Sequence, residues 1–218
     1  MKKSPALQFV AKAISILLHP VFVPTLIFSF LLVHSPDVFY GVTEKNKHWW
    51  LITIAYTTIT FPILTVFLLW RLKFIESFEM HHLKERYGPL IASMLFYFWI
   101  FWLFHKQFDA PQEIQIMLLG VFLTTVLIFL ASIFSKVSMH TAAWGGVIAF
   151  ATICVFLHVS QSILFLSVGL LLAGLVGSAR LYLQAHTNKQ LYAGYLLGII
   201  SQVIAFLIVK LLNSYVAA

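Results

Sequence analysis

Two short polar segments interrupt the apolar second half of the chain, and both carry side chains suited to an anion. The first contains Lys136, Ser138 and His140, and the second contains Arg180 and His186. Arginine binds phosphate oxygens through a planar fork of N–H donors, and histidine exchanges protons or attacks as a nucleophile near neutral pH. Titratable groups at the edge of a membrane are functional candidates by default. These residue types predict one anion-binding site if both segments lie at the same membrane face.

The composition requires membrane-spanning helices to position these segments. Of the 218 residues, 61% are hydrophobic and only 10% are charged, which is too little polar surface for a soluble globule. About 20 apolar residues cross a bilayer as a helix that pairs its own backbone groups. The sequence therefore predicts an all-α fold, a polytopic transmembrane bundle of six to seven membrane-spanning helices. The apolar runs lie near 13–33, 48–70, 88–105, 114–135, 141–158, 161–179 and 190–210.

The first of these runs is the reason that the number of crossings stays open. His19-Pro20 and Pro24 remove backbone N–H donors within it, which predicts a kinked or broken, partly re-entrant helix. The sequence assigns these residues no chemical role. In the last two runs, small residues recur every four positions and predict that the corresponding helices approach closely. They are Gly169, Ala173 and Gly177, followed by Gly194 and Gly198.

Counting the crossings places the polar junctions on one face of the membrane. From Tyr87 the chain crosses and returns to the segment 136–140, then crosses and returns to the segment 180–186. That face carries ten cations against three glutamates, which accounts for the whole net charge of +7. The excess fits either the positive-inside rule or an anion-binding mouth, so sidedness stays open. The charges are Lys2, Lys3, Lys12, Arg71, Lys73, Lys84, Arg86, Lys136, Arg180 and Lys189 against Glu76, Glu79 and Glu85.

The spacing of these residues resembles two motifs of the type 2 phosphatidic acid phosphatase superfamily of integral membrane phosphatases. Its third motif is Ser-Arg, five residues, His, three residues, Asp; here Arg180, His186 and Gln190 stand at the last three positions. Its second motif is Pro-Ser-Gly-His, of which Ser138 and His140 are kept. Gln190 in place of the aspartate can accept a hydrogen bond but carries no charge to stabilise an imidazolium, which predicts a slower enzyme.

The first motif of that family, Lys, six residues, Arg-Pro, is only partly present. Arg86 matches the arginine, Glu79 stands where the lysine is expected, and Lys84 is the nearest substitute. Pro89 follows two residues late. The resemblance implies a phosphatase-like core over about 70–214, preceded by N-terminal helices over 8–70, all in a single integral membrane domain covering 1–218.

By this resemblance the chain hydrolyses a lipid-linked phosphate or diphosphate through a phosphohistidine, without a metal or any other cofactor. His186 is the implied nucleophile, and His140 is the implied acid and base. Arg180, Arg86, Lys84, Ser138 and Lys136 would bind the phosphate, and Gln190 would orient His186. The expected partners are the lipid phosphate substrate and membrane lipids, with no nucleic acid. The resemblance also implies a bacterial inner (cytoplasmic) membrane with a periplasmic active face, and it leaves the oligomeric state open.

Two other classes of function remain open from the sequence. A catalytically impaired family member would bind or move an anionic lipid with the same basic mouth, and Gln190 is the residue that favours this interpretation. A small transporter would show two similar halves, and the sequence has no convincing internal repeat. The segment around Glu79, His81, His82 and Glu85 has helical spacing that a divalent metal could use, but such clusters usually belong to a solvated surface helix.

Overall fold

The computed structural model describes residues 4–78, 80 and 82–216, and within these ranges the chain forms helices and turns without a strand. This confirms the all-α prediction. The α-helices in this part of the chain are α1 (Pro5–Leu17), α2 (Val23–His34), α3 (Glu44–Ala55), α4 (Phe61–Arg71), α5 (Tyr87–Lys106), α6 (Gln112–Ser132), α7 (Met139–Phe156), α8 (Ser162–Tyr182) and α9 (Asn188–Val216).

Seven helical segments among the described residues are long and apolar enough to span a membrane. Two of them join a pair of helices, since α1 and α2 form one and α3 and α4 form another. The protein therefore has the architecture of an integral membrane bundle. The segments are Pro5–His34, Glu44–Arg71, Leu83–Lys106, Gln112–Ser132, Met139–Phe156, Ser162–Tyr182 and Asn188–Tyr215.

The first segment is broken where its prolines predict. Helix α1 ends at Leu17, a short 3₁₀ turn covers Pro20–Phe22, and α2 begins at Val23. The break leaves two carbonyls, those of Ser15 and Leu18, without the usual helical N–H partner. Side chains of α7 take both: His140 Nε2 lies 3.0 Å from Ser15 O, and Trp144 Nε1 donates to Leu18 O at 3.1 Å. The break is thereby joined to the centre of the bundle.

The second segment contains a similar irregularity. A π-helical turn, Tyr56–Thr60, separates α3 from α4, and Pro62 follows it within the first turn of α4. Proline has no N–H to give to the carbonyl four residues earlier, which belongs to Thr58. The Tyr97 hydroxyl of α5 lies 3.5 Å from that oxygen. A neighbouring helix thus supplies the partner that the proline removes, as an apolar environment requires.

Helix α7 lies at the centre of the bundle and packs against α6, α8 and α9. Gly194 and Gly198 of α9 face it so closely that a Cβ on either would overlap α7 atoms, including Ser138 O and Ala142 O. The predicted use of these two glycines, contact between α8 and α9, is therefore wrong. What does bridge those two helices is Tyr195, whose hydroxyl donates to Ala173 O of α8 at 2.5 Å.

The polar junctions predicted to share a face meet at one end of the bundle. Arg86 Nη1, just before α5, donates to Val137 O at 3.0 Å, and His186, after α8, lies 3.1 Å from Lys136 O. At the opposite end, the Ser35 hydroxyl after α2 donates to Ser160 O in the turn between α7 and α8. The bundle therefore gathers the candidate phosphate-binding residues at a single end.

Candidate functional site

The N-terminus of α7 and the N-terminus of α9 form the frame of the site. Ser138 caps α7 by accepting from Thr141 N at 3.4 Å, and its own N–H donates to Gln190 O at 3.3 Å. The Thr141 hydroxyl also donates to Leu191 O at 3.0 Å. These bonds hold the two helix starts side by side, which fixes the segments that carry the candidate histidines.

His186 is held by two acceptors at the same ring nitrogen. Its Nδ1 lies 3.1 Å from Lys136 O and 3.3 Å from Gln190 Oε1. Thr187 N also donates to that Gln190 atom at 3.1 Å, which identifies the atom as the amide oxygen. Because both groups facing Nδ1 can only accept, Nδ1 must carry the hydrogen. The neutral ring therefore keeps its lone pair on Nε2. This lone pair is what allows Nε2 to act as a nucleophile.

The surroundings of His186 also keep the ring neutral. Burial, followed by the positive charges of Arg180 and Arg86, lowers the pKa of His186 to about 4. A histidine with that pKa is almost entirely unprotonated at pH 7, so its Nε2 lone pair is available. The two arginines act on this ring because all three side chains lie at the same end of the bundle.

Arg86 is a buried cation with few partners. Its side chain is 3% exposed, and Nη1 donates to Val137 O. Its buried Nε has no hydrogen-bond acceptor among the described residues. Arg180 is near enough for the two positive charges to repel one another. No carboxylate among the described residues pairs with Arg86. A buried cation is costly unless an opposite charge compensates it, so this arrangement favours an anion bound at Arg86.

His140 has the opposite arrangement of ring nitrogens. Its Nε2 faces the carbonyl of Ser15, which can only accept, so Nε2 carries the hydrogen. In the neutral ring Nδ1 then carries the lone pair and is the nitrogen that can accept a proton and later return it. His140 is 7% exposed and is close enough to Arg180 and His186 for electrostatic interaction. The two candidate catalytic histidines thus present different nitrogens within one cluster.

The structure adds His19, a residue to which the sequence assigned no chemistry. Its ring lies 4.9 Å from the His140 ring, edge to face at 88°. His19 Nδ1 accepts from Val21 N at 3.4 Å, and its ring is within electrostatic range of Arg180. The sequence signal was a titratable residue directly before a proline inside an apolar run. Because 121 positions separate the two histidines, their contact depends on tertiary packing.

The remaining predicted residues differ in their burial and in their contacts. Ser138 is fully buried with its oxygen at the α7 cap, whereas Lys84 is exposed on the 3₁₀ turn Leu83–Arg86. The backbone carbonyl of Lys136 is the atom that contacts His186. The Glu85 carboxylate accepts hydrogen bonds from the backbone N–H groups of Glu76 and His82, which lie in the same connection before α5. Lys2, Lys3, Glu79 and His81 lie outside the described residues, and the metal alternative depends on the last two.

Comparison of the chain with family models, with curated proteins and with solved structures finds no match in any of the three.

Proposed function

We propose that this protein is a membrane-embedded, metal-independent phosphatase that hydrolyses a lipid-linked phosphate or diphosphate. The observation that carries the proposal is the state of His186, whose hydrogen is held on Nδ1 while Nε2 is left as a lone pair beside two arginines. Such a group is prepared to attack an electrophile that brings negative charge with it. A phosphate ester is an electrophile of this kind.

In the first step, His186 Nε2 attacks phosphorus and the bond from phosphorus to the lipid oxygen breaks. The departing oxygen needs a proton, which His140 supplies from Nδ1 after taking it up from water when the anionic substrate binds. The negative charge of the bound phosphate favours the protonated form of His140 before this step. Arg180 and Arg86 bind the phosphate oxygens and stabilise the charge that develops on them. The product is a phosphohistidine with Nδ1–H still directed at Gln190 and Lys136.

In the second step, water replaces the lipid oxygen as the partner of His140. Nδ1 of His140 takes a proton from the water, whose oxygen attacks phosphorus while the bond to His186 Nε2 breaks. Inorganic phosphate leaves, His186 returns to its neutral state, and His140 returns to its own by releasing the Nδ1 proton to water as the anion departs. The contact between His140 Nε2 and Ser15 O need not change during the cycle, because proton transfer uses the other nitrogen.

The membrane setting supports a lipid as the substrate. The site lies at one end of an apolar bundle, where the phosphate of a lipid meets the arginines without its chain leaving an apolar environment. Phosphatidate, a polyprenyl diphosphate and other lipid phosphates present the same reacting group. The family resemblance further favours a bacterial cytoplasmic membrane with the site on its periplasmic face.

A second candidate function is the binding or movement of an anionic lipid without hydrolysis. One observation favours it: both acceptors at His186 Nδ1, the Lys136 carbonyl and the Gln190 amide, are neutral. A phosphorylated imidazole is positively charged, and neutral acceptors stabilise it less than a carboxylate would. In this alternative the arginines bind the headgroup and no covalent intermediate forms.

The decisive experiment measures phosphate release by purified protein from several lipid phosphates, with and without a metal chelator. We expect release that persists with chelator and is lost in His186→Ala and His140→Ala. His158→Ala is the matched control, since His158 lies in the turn between α7 and α8 at the other end of the bundle. It should release phosphate at the wild-type rate.

A trapping experiment separates the two candidate functions. Radiolabelled lipid phosphate and a rapid alkaline quench should leave label on the wild-type protein in an acid-labile form, and His186→Ala should leave none. Headgroup-dependent lipid binding without release or labelling from any substrate would overturn the phosphatase and support the binding protein.

A further inference from the structure

A cavity of about 300 Å³ lies inside the bundle next to the candidate site. Its wall is formed by α2, α4, α5, α6 and α7, and residues that represent these helices are Ile27, Val66, Leu90, Val121 and Val147. This volume is at the lower end of the range of about 300–1,000 Å³ that is typical of small-molecule sites. The cavity is therefore large enough to hold part of a small ligand.

Four polar side chains of the cavity wall already donate hydrogen bonds to backbone carbonyls. The hydroxyls of Ser93, Thr124 and Thr125 donate to carbonyls of their own helices, at 2.8, 2.7 and 2.9 Å. Gln202 Nε2 donates to Ile116 O at 3.0 Å. Because these donors are used, the wall offers an occupant mainly apolar contact. Hydrocarbon fits such a surface, whereas a sugar or an amino acid would lose its hydrogen bonds to water.

The cavity adjoins the candidate phosphate site through two residues. Met139 lines it and is directly followed in the chain by His140, and His19 lines it while its ring contacts the His140 ring. A molecule with its phosphate at the arginines could therefore extend a chain past His19 and Met139 into the bundle. Ile63 and Phe78, also in the wall, are about half exposed, at 49% and 52%, so the wall extends to the outer surface.

We propose that this cavity binds one hydrocarbon chain of the lipid phosphate substrate. The inference rests on the proposed function and narrows it to substrates in which a single acyl or prenyl chain can leave the bilayer and enter the bundle. Transfer from lipid to an apolar cavity gains little from the hydrophobic effect, since both environments are apolar. The gain comes from filling a void whose walls otherwise lack contact partners. The cavity should therefore discriminate between substrates by the shape and length of the hydrocarbon chain.

The test uses a straight-chain alkyl phosphate with a photoreactive diazirine on its terminal carbon, added to the purified protein in nanodiscs. After irradiation, mass spectrometry maps the labelled residues. We expect adducts on cavity residues of α6, such as Met117 and Val121. Adducts confined to outward-facing residues, such as Leu130 with 48% exposure, would overturn the proposal.

Substitutions that fill the cavity make the test specific. Val121→Phe should abolish the cavity adducts, and Ala143→Leu on the α7 wall provides a second variant if the first does not fold. Val168→Phe on α8 is the matched control, because Val168 is 37% exposed and does not line the cavity; it should keep the wild-type labelling. Unchanged labelling in a folded Val121→Phe protein would also refute the proposal that the cavity binds the hydrocarbon chain.

Phosphate release from a short alkyl phosphate, measured on the same samples, reports the headgroup chemistry separately. Release together with labelling only outside the cavity would refute the chain site and leave the phosphatase intact. Labelling inside the cavity with no release from any substrate would refute the phosphatase, while the cavity would still bind a chain.

Discussion

Replacing Gln190 by glutamate tests whether the neutral acceptor limits catalysis by His186. The two side chains have the same length, so Gln190→Glu places a carboxylate oxygen where Oε1 now lies, 3.3 Å from His186 Nδ1. The carboxylate can still accept from Thr187 N, which donates to this atom at 3.1 Å. The substitution thus changes the charge of the acceptor while preserving the contacts that position it.

The expected magnitude follows from the type of hydrogen bond. A neutral hydrogen bond contributes about 0.5–1.5 kcal/mol net, and one with a charged partner about 1.5–3 kcal/mol. The difference of about 1–1.5 kcal/mol applies when the ring carries the phosphoryl group and a positive charge. At about 1.4 kcal/mol for each factor of ten, kcat should rise about fivefold to tenfold.

The pH dependence provides an independent measure of the same change. In the proposed reaction His186 attacks only when it is unprotonated, so kcat/KM should fall on the acid side as the pH decreases through the His186 pKa of about 4. A carboxylate at hydrogen-bond distance raises the pKa of a histidine, typically by about 1–3 units. The acid limb of Gln190→Glu should therefore move upward, to between about pH 5 and pH 7, and leave at least half of the rings neutral at pH 7.

The assay is phosphate release across pH in detergent, on wild-type protein, Gln190→Glu and a charge control. Gln184→Glu is the control: Gln184 is exposed in the same connection between α8 and α9, so it adds a negative charge without a contact to His186. A folded Gln190→Glu protein whose kcat and acid limb both match wild type would refute the role given to Nδ1. An equal gain in Gln184→Glu would show that the effect is only long-range charge.

Further predictions concern the buried arginine and the packing of α7. Arg86→Ala should lower phosphate release by about 10²–10³ while thermal unfolding in anion-free buffer occurs at the same or a higher temperature, because the substitution removes a buried cation whose Nε has no acceptor among the described residues. Trp144→Phe should lower the stability by about 1–3 kcal/mol in thermal or denaturant unfolding, because the carbonyl of Leu18 loses its donor. Gly198→Ala should cost about 1–3 kcal/mol through overlap with α7, whereas Gly174→Ala, with open space at its Cβ, should cost nothing measurable.

The parts of the fold that are predictable from the sequence depend on composition and local spacing. Charge-poor runs give the spanning segments, because hydrocarbon tolerates few charges and requires backbone pairing. The four-residue spacing of His186 and Gln190 brings those side chains together at the start of α9. The spacing of polar junctions along a chain that crosses repeatedly was also sufficient to place Arg86, Lys136 and His186 at one end.

The features that the sequence does not predict depend on which distant residues hydrogen-bond to, or pack against, a local irregularity. Pro20 shows that the first helix must break, but nothing in its neighbourhood indicates that His140 and Trp144 take the freed carbonyls. Likewise, Gly194 and Gly198 predict a close helix contact without saying which helix supplies it, and α7 rather than α8 does. Such pairings are decided by tertiary packing, which one sequence does not reveal.

The carbonyl of Ser15 has a consequence for how the protein could be regulated. Among the described residues, this oxygen is the acceptor that faces His140 Nε2 and fixes the tautomer of the ring. In the proposed reaction, a segment that contributes no reacting group therefore determines which His140 nitrogen can exchange a proton. Any shift of α1 that withdraws this oxygen would let the imidazole reverse its hydrogen and point the wrong nitrogen at the leaving group. The position of the first helix would then affect the proposed chemistry through His140, a residue of a different helix.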